Sequence, residues 1–382
     1  MVSEPVYGHA RLKDFALDPA KVHLNHGSFG AVPNVLAEVQ DRWRTRLEAN
    51  PTGLFRGLPG LLRQTAARVA EAFGGRAEDW VFVENATQGA NAAIPALALS
   101  TGDHVLATTE IYNAVRQTLR HRAGRWGVEV EELALPVPLA HADQVLDAFE
   151  TAIRPNTRAV FVDHVTSRSA LVLPVARIAA LAREKGVACF VDGAHGPGMV
   201  EIEVAAIGAD WYVGNAHKWL YAPRGCALFW TAPERQAATH PVVISHGYQS
   251  GYTAEFDWIG TRDPTAWLTA ASALDWHESQ GGAALRARSH DLACLMADRL
   301  AGALGTEPSG PPELMGAMAA VRLPGPPSPS TRERAVALDQ THDVVVSLNR
   351  IDDADWLRVS AALYNEASDI DALLEALASA TA

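Results

Sequence analysis

Five short apolar runs recur between residues 80 and 217: "WVFV" from Trp80, "HVLAT" from His104, "RAVFVDHV" from Arg158, "VACFVDGAH" from Val187 and "ADWYVGNAH" from Ala209. Stretches with helical spacing lie between them, among them "DQVLDAFETAI" and "VARIAALAREKG". Strands that are apolar on both faces and separated by helices belong to a mostly parallel sheet covered on both sides, so an α/β fold is predicted. Upstream, Leu36, Val39, Trp43 and Leu47 step by three and four residues, which predicts an amphipathic helix after Pro33. Downstream, the Pro- and Gly-rich stretches "TEPSGPPELMGAM" and "LPGPPSPSTRER" flank a short strand, "MAAVRL". Two further strands, "HDVVVSLN" and "DWLRVSAALYN", and a terminal helix complete a smaller α+β unit. The expected organisation is an N-terminal arm over 1–20, a large domain over 21–265 and a small C-terminal domain over 266–382.

At 382 residues the chain exceeds one ordinary hydrophobic core, in keeping with two sub-domains. Hydrophobic content of 48% with 20% charged residues describes a globular enzyme, and the net charge of -12 argues against a nucleic-acid or anionic-membrane partner. The opening "MVSEPVYGHARLKDF" has no apolar signal-peptide core, and no uncharged apolar run of about 18 residues suggests a membrane span. A cytoplasmic location is expected. Cys189, Cys226 and Cys294 are too few for a disulfide framework and are expected as buried, unpaired thiols.

In an open α/β sheet, chemistry gathers at the carboxyl ends of the strands. After "WVFV", the residues Asn85, Ala86, Thr87 and Gln88 lead into a helix whose first N–H groups can hold a phosphate; Thr87 can equally be a simple helix cap. After "VACFV" comes Asp192, followed by Gly193, Ala194 and His195. The acid can be a structural core group, a metal ligand or the partner of a protonated heterocyclic nitrogen. "DGAHGPG" does not spell Gly-x-Gly-x-x-Gly, which excludes a dinucleotide fingerprint. After "DWYV" come Asn215, His217 and Lys218. Lys218 follows Asp192 by 26 positions, an interval that fits one crossover between neighbouring strands and places both at one crevice. A lysine between His217 and Trp219 at a strand end is badly placed for a surface charge, and a desolvated amine is a nucleophile near neutral pH. A phosphate cradle, an acid and a strand-end lysine are the parts that hold pyridoxal phosphate as a Schiff base with its ring nitrogen protonated. A rival from another class is a metal-dependent hydrolase using Asp163, His164, Asp192, His195 and His217. It leaves Lys218, Thr87 and Arg358 without a role and lacks the His-Glu-x-x-His spacing, so no metal is expected.

The series "LNHGSFGAVP", "ENATQGAN", "HVTSRSALVLPV", "VDGAH", "GNAHKWLYAPRG", "GTRD" and "LRVSAALYN" runs in order along nearly the whole chain. It resembles the class V aminotransferase family, in its isopenicillin N epimerase-like branch, which has fold type I. The resemblance implies that Lys218 is the Schiff-base lysine, Asp192 the partner of the pyridine nitrogen and His195 the neighbour of the cofactor's phenolic oxygen. It implies Asn85, Ala86, Thr87, Asn215 and His217 on the phosphate side, Tyr112 stacked on the pyridine and Ser167 near the phenolic oxygen. Thr261 of "GTRD" is implied to reach the phosphate of a neighbouring subunit, hence a homodimer with shared sites. Arg358 matches the arginine that grips a substrate α-carboxylate, and Asn25 is grouped with it as a substrate contact. Arg168 departs from the family pattern, which commonly has proline there. It either reads a second anion on the substrate or pairs with Asp163 or a surface acid. Arg56, in "NPTGLFRG", is a further candidate for substrate contact.

Pyridoxal phosphate stabilises a carbanion at an amino acid's α-carbon, and the protein decides the fate of that carbanion. Lys218 can move a proton on one face, and Tyr112 can serve the other face or a leaving group, so epimerisation, β-elimination and transamination all fit. The resemblance favours the epimerase–lyase group. No cysteine is placed as a mobile sulfur acceptor, which disfavours a desulfurase.

Overall fold

The structure, a computed structural model, describes residues 6–380. The first five residues of the expected N-terminal arm lie outside the described residues. Seven strands form the main sheet: β1 (Trp80–Val83), β2 (His104–Thr108), β3 (Glu129–Leu133), β4 (Thr157–Asp163), β5 (Ala188–Asp192), β6 (Trp211–Asn215) and β7 (Ala227–Thr231). Their order is β1-β7-β6-β5-β4-β2-β3. Pairing is parallel throughout except at β7, which runs antiparallel to both its neighbours. Two of these strands, β3 and β7, are additions to the five apolar runs. The sequence of β3, "EVEEL", is mostly polar because it forms a sheet edge, so it carries no apolar run.

Alternation along the strands divides the core between the two faces. Trp80, Phe82, Val160, Val162, Cys189, Val191 and Tyr212 pack in one cluster; Val81, Val83, Phe161, Phe190, Trp211 and Val213 pack in another. Helix α1 (Asn34–Ala49) and the long α2 (Pro51–Phe73) precede the sheet, and α3 (Ala86–Ala96) and α4 (Asn113–Trp126) follow β1 and β2. The buried residues of α3 belong to the second cluster. Continuing the period of two past Phe161, Phe190 and Val213 brings Asp163, Asp192 and Asn215 onto that same face, at the carboxyl ends of three adjacent strands. Apolar packing ends there and polar chemistry begins.

A second, three-stranded antiparallel sheet has the order β9-β10-β8, from β8 (Met318–Arg322), β9 (Ser347–Ile351) and β10 (Ala354–Ser360). Helix α5 (Ala283–Leu304) packs on β8, and α6 (Asp369–Ala380) packs on α5. The packing differs from the expected boundaries at two places. Val22 and His23 pair with Val344 and Val345 of the C-terminal unit, and the helices Thr265–Leu268 and Ala270–Ser279 pack on α1 and α2. Helical spacing shows that a stripe is buried but not which partner buries it. Among the described residues no helix is long and apolar enough to cross a membrane.

Candidate active site

A cavity of about 470 Å³ opens at the carboxyl ends of β4, β5 and β6. It is lined by Asn85, Ala86, Thr87, Tyr112, Ser167, His195, Asn215, His217 and Lys218, nine of the residues expected at the site. Its volume suits a cofactor with a small substrate. The N-terminus of α3 points into one end. Asn85, and not Thr87, caps that helix, its Oδ1 accepting the Gln88 N–H at 3.0 Å. Thr87 therefore sits within the first turn, lining the cavity, and the Ala86 N–H donates to Asn215 Oδ1 at 2.9 Å. His217 Nδ1–H donates to the Cys226 carbonyl at 3.0 Å, which leaves Nε2 as an acceptor without a proton.

Lys218 is 8% exposed, and its amine lies 3.1 Å from His195 Nε2. Trp219 Nε1–H donates to His195 Nδ1 at 3.4 Å. An indole nitrogen only donates, so the imidazole proton sits on Nε2 and points at the lone pair of an unprotonated amine. Burial pushes the Lys218 pKa down to about 7, helped by the Arg358 guanidinium and opposed by Asp192 and Asp163. Burial likewise drives His195 well below its ordinary range, with Lys218 adding to the effect. A neutral amine steadied by a neutral imidazole is a nucleophile ready at neutral pH.

Asp192 does not line the cavity but is buried close enough to raise the amine's pKa; the Ala194 N–H donates to its Oδ1 at 3.0 Å, while Oδ2 has no partner among the described residues. Burial raises its pKa to about 6. Asp163, expected only as a ligand of the rival metal site or as an ion-pair partner of Arg168, lines the cavity and also has an unpartnered Oδ2. Arg358 is 2% exposed, and among the described residues its hydrogen-bond partners are all neutral. Its Nη1 donates to the Ser167 carbonyl at 2.5 Å and its Nη2 to Asn25 Oδ1 at 3.0 Å and Ser28 Oγ at 2.9 Å, while Nε is buried without a partner. A buried cation held by neutral groups is completed by an anion. Asn25 thus orients Arg358, and neither of the two lines the cavity itself.

Arg168 corrects the expected pairing. Its guanidinium bonds to the buried Glu110 at 2.6 Å and to the carbonyls of Thr109 and Arg350, and neither Asp163 nor a surface acid is its partner. Thr261 is exposed and outside the cavity, as is Arg56. Five other lining residues escape sequence reasoning: Ser28, Phe29, Glu84, Arg224 and Gly225. Ser28 and Phe29 lie in "LNHGSFG", whose Gly30 has φ 69° and would drive a Cβ to 1.9 Å from the His217 carbonyl oxygen. That glycine lets the turn reach the lysine segment, and it is the available signal. The rival metal ligands do not gather, since His164 Nδ1 pairs with the Tyr212 hydroxyl and His217 with the Cys226 carbonyl. Among the described residues the one metal-like grouping, His104, Glu129 and Glu131, lies at the amino ends of β2 and β3, where Arg154 binds both carboxylates.

The residues present fit pyridoxal phosphate: a buried lysine with its pKa lowered to about 7, Asp163 and a polar helix N-terminus line one cavity, and Asp192, with its free oxygen, stands beside Asp163 at the neighbouring strand end. The sequence profile described as aminotransferase class-V matches residues 58–373. An isopenicillin N epimerase from Amycolatopsis lactamdurans is 36% identical over 95% of this chain and 96% of that protein. A putative L-cysteine desulfhydrase 1 from Oryza sativa subsp. japonica is 36% identical over 79% of this chain and 67% of that protein. In fold, a cysteine desulfurase from Thermococcus onnurineus NA1 superposes with a TM-score of 0.84 at 19% identity, covering 100% of this chain and 99% of that one. The chain belongs to the class V aminotransferase family and is a pyridoxal-phosphate-dependent enzyme of fold type I.

Proposed function

We propose that the enzyme removes the α-proton of an amino acid and then either returns it, as an epimerase, or loses a β-substituent, as a C–S lyase. The observation that carries this reading is the closeness of two buried groups: the Lys218 amine, which lines the cavity, and the Arg358 guanidinium, which lowers that amine's pKa and is bonded to Ser28 and Ser167 of the cavity wall. Arg358 binds the substrate α-carboxylate through its planar fork, and the Lys218 amine takes the α-proton. When bound, pyridoxal phosphate supplies the electron sink that makes this proton acidic. Asp192 would hold the positive charge on the ring nitrogen, and Asn85 and Thr87 would hold the phosphate; His217 has spent its one N–H on the Cys226 carbonyl and offers the phosphate no donor. Tyr112 lines the same cavity as Lys218 and supplies or receives a proton at the opposite face or at the leaving group. A persulfide-forming desulfurase is disfavoured: Cys189 and Cys226 are buried with thiol pKa values pushed up by that burial, Cys226 to about 12, and no cysteine lines the cavity.

A homodimer completes the site, with Thr261 reaching the phosphate of the neighbouring copy. Thr261 is exposed away from its own cavity, and Val242, Val243, Ile244 and Tyr248, in the segment before it, are 48–55% exposed. Such a run of exposed apolar side chains suits burial against a second copy.

The reaction is tested by incubating the holoenzyme in deuterated water with simple L-amino acids and with cysteine-derived thioethers. Deuterium at the α-carbon with inversion identifies an epimerase, and pyruvate with ammonia a lyase. Turnover that depends on an added keto acid, with the cofactor converted to its amine form, contradicts the proposal.

A further inference from the structure

His26, the third residue of "LNHGSFG", plays no part in the chemistry above. Its ring is 3% exposed and wedged among Trp219, Tyr221 and Tyr364, with centroids 4.9, 4.7 and 5.8 Å away. Nε2 lies 3.0 Å from the main-chain carbonyl of Lys218, and Nδ1 lies 3.1 Å from the Tyr364 hydroxyl. A carbonyl only accepts, so the imidazole proton is on Nε2 and the Tyr364 hydroxyl donates to Nδ1. Burial pushes the ring's pKa down to about 4, which keeps it neutral and its tautomer fixed at neutral pH. The Lys218 carbonyl also accepts the Tyr221 N–H at 3.1 Å. Tyr221 is in the left-handed region at φ 60°, and its hydroxyl accepts the Leu363 N–H at 3.0 Å. The flanking residues of the same turn tie to β10: Asn25 and Ser28 accept from Arg358, and the Gly27 N–H donates to Ser360 Oγ at 3.1 Å.

We propose that His26 is a positioning residue for Lys218: its bond to the Lys218 carbonyl fixes the backbone from which the reactive amine projects, and Tyr364 fixes that bond. One short turn thereby sets the distance between the proton-transferring amine and the carboxylate-binding Arg358. The inference rests on Lys218 being the cofactor's lysine. The charged and titratable groups facing the amine are Asp192, Asp163, Arg358 and His195, and His26 variants leave all four in place.

The test compares His26→Phe, His26→Gln and Tyr364→Phe with wild type in three measurements: melting temperature, kcat and KM of the holoenzyme, and the pH midpoint of Lys218 acylation in the cofactor-free full chain. His26→Phe keeps an aromatic ring and loses both bonds. Its kcat is expected to fall roughly ten- to a hundredfold with little change in KM, as for a displaced reacting group. The acylation midpoint is expected to rise from about 7 as the loosened amine reaches water. His26→Gln, whose amide N–H replaces the lost donor, recovers most of both. Tyr364→Phe, which frees the ring to turn, moves both the same way by less. If His26→Phe does not fold, the other two variants carry the comparison. A fall in melting temperature alone, with kcat and midpoint unchanged, assigns His26 to packing and overturns the proposal. Borohydride-fixed cofactor on a peptide without residue 218 in the wild type overturns instead the reading beneath it.

Discussion

Asp163 and Asp192 stand side by side at the carboxyl ends of adjacent parallel strands, their Cα atoms in register, each with one carboxylate oxygen that no group among the described residues satisfies. Two buried acids this close do not both ionise at neutral pH. Asp163 is the one pushed well above the usual carboxylate range, by burial first and then by Asp192 and Glu110. Asp192 is raised by burial only to about 6, with the Ala194 N–H opposing the rise. The pair thus divides its roles, with Asp163 neutral and accepting the Tyr112 N–H, and Asp192 available as an anion for the ring nitrogen.

That division predicts opposite outcomes for two isosteric substitutions. Asp192→Asn should keep the fold and bind cofactor yet lower kcat by roughly a hundredfold or more, because the developing charge loses its fixed counter-ion. Asp163→Asn replaces an already neutral group and should leave turnover at pH 7 close to wild type. Steady-state kinetics on both variants at full cofactor occupancy decide it; equal losses would show that the charge sits on Asp163 as well.

Arg358→Lys retains the charge and loses the planar fork. Loss of one charge-assisted hydrogen bond is worth about 1.5–3 kcal/mol, so KM for the amino acid should rise roughly ten- to a hundredfold, with kcat little altered. An unchanged KM would place the carboxylate anchor elsewhere.

Arg168→Met tests the assignment of that cation to Glu110. Removing the partner of a buried carboxylate should cost about 2–3 kcal/mol, less than a fully buried pair because the Arg168 head is 30% exposed. The melting temperature should fall while KM stays near wild type. The reverse pattern, a raised KM in an equally stable protein, would make Arg168 a reader of substrate.

The apolar runs make the parallel sheet legible because both of its faces are buried, and the Asp192-to-Lys218 interval makes their shared crevice legible because β5 and β6 are neighbours. Contacts set by loop conformation are not legible. Arg168 meets Glu110 across 58 positions, and His26 meets Lys218 across 192, in each case through turns that no periodicity describes. Hydroxyl residues favour the cap position, which makes Thr87 a candidate for it, yet the chain enters α3 two residues earlier, at Asn85. The polar edge strand β3 is invisible for want of an apolar run.

The amine itself can be titrated. Its pKa of about 7, against an ordinary 10.5, means that above pH 7 it is largely unprotonated while surface lysines remain charged. In the cofactor-free protein, competitive acylation read by peptide mass spectrometry should show residue 218 reaching its plateau by about pH 8, with the other lysines still rising there. A Lys218 profile that tracks the surface lysines would mean that the amine is solvated.

The most direct measurement of the central claim is borohydride reduction of the holoenzyme, with peptide mapping of the product. The account predicts loss of the visible absorption band and a single stable cofactor adduct, on the peptide that contains Lys218. An adduct on any other lysine, or a purified protein that binds pyridoxal phosphate with no adduct after reduction, would contradict it.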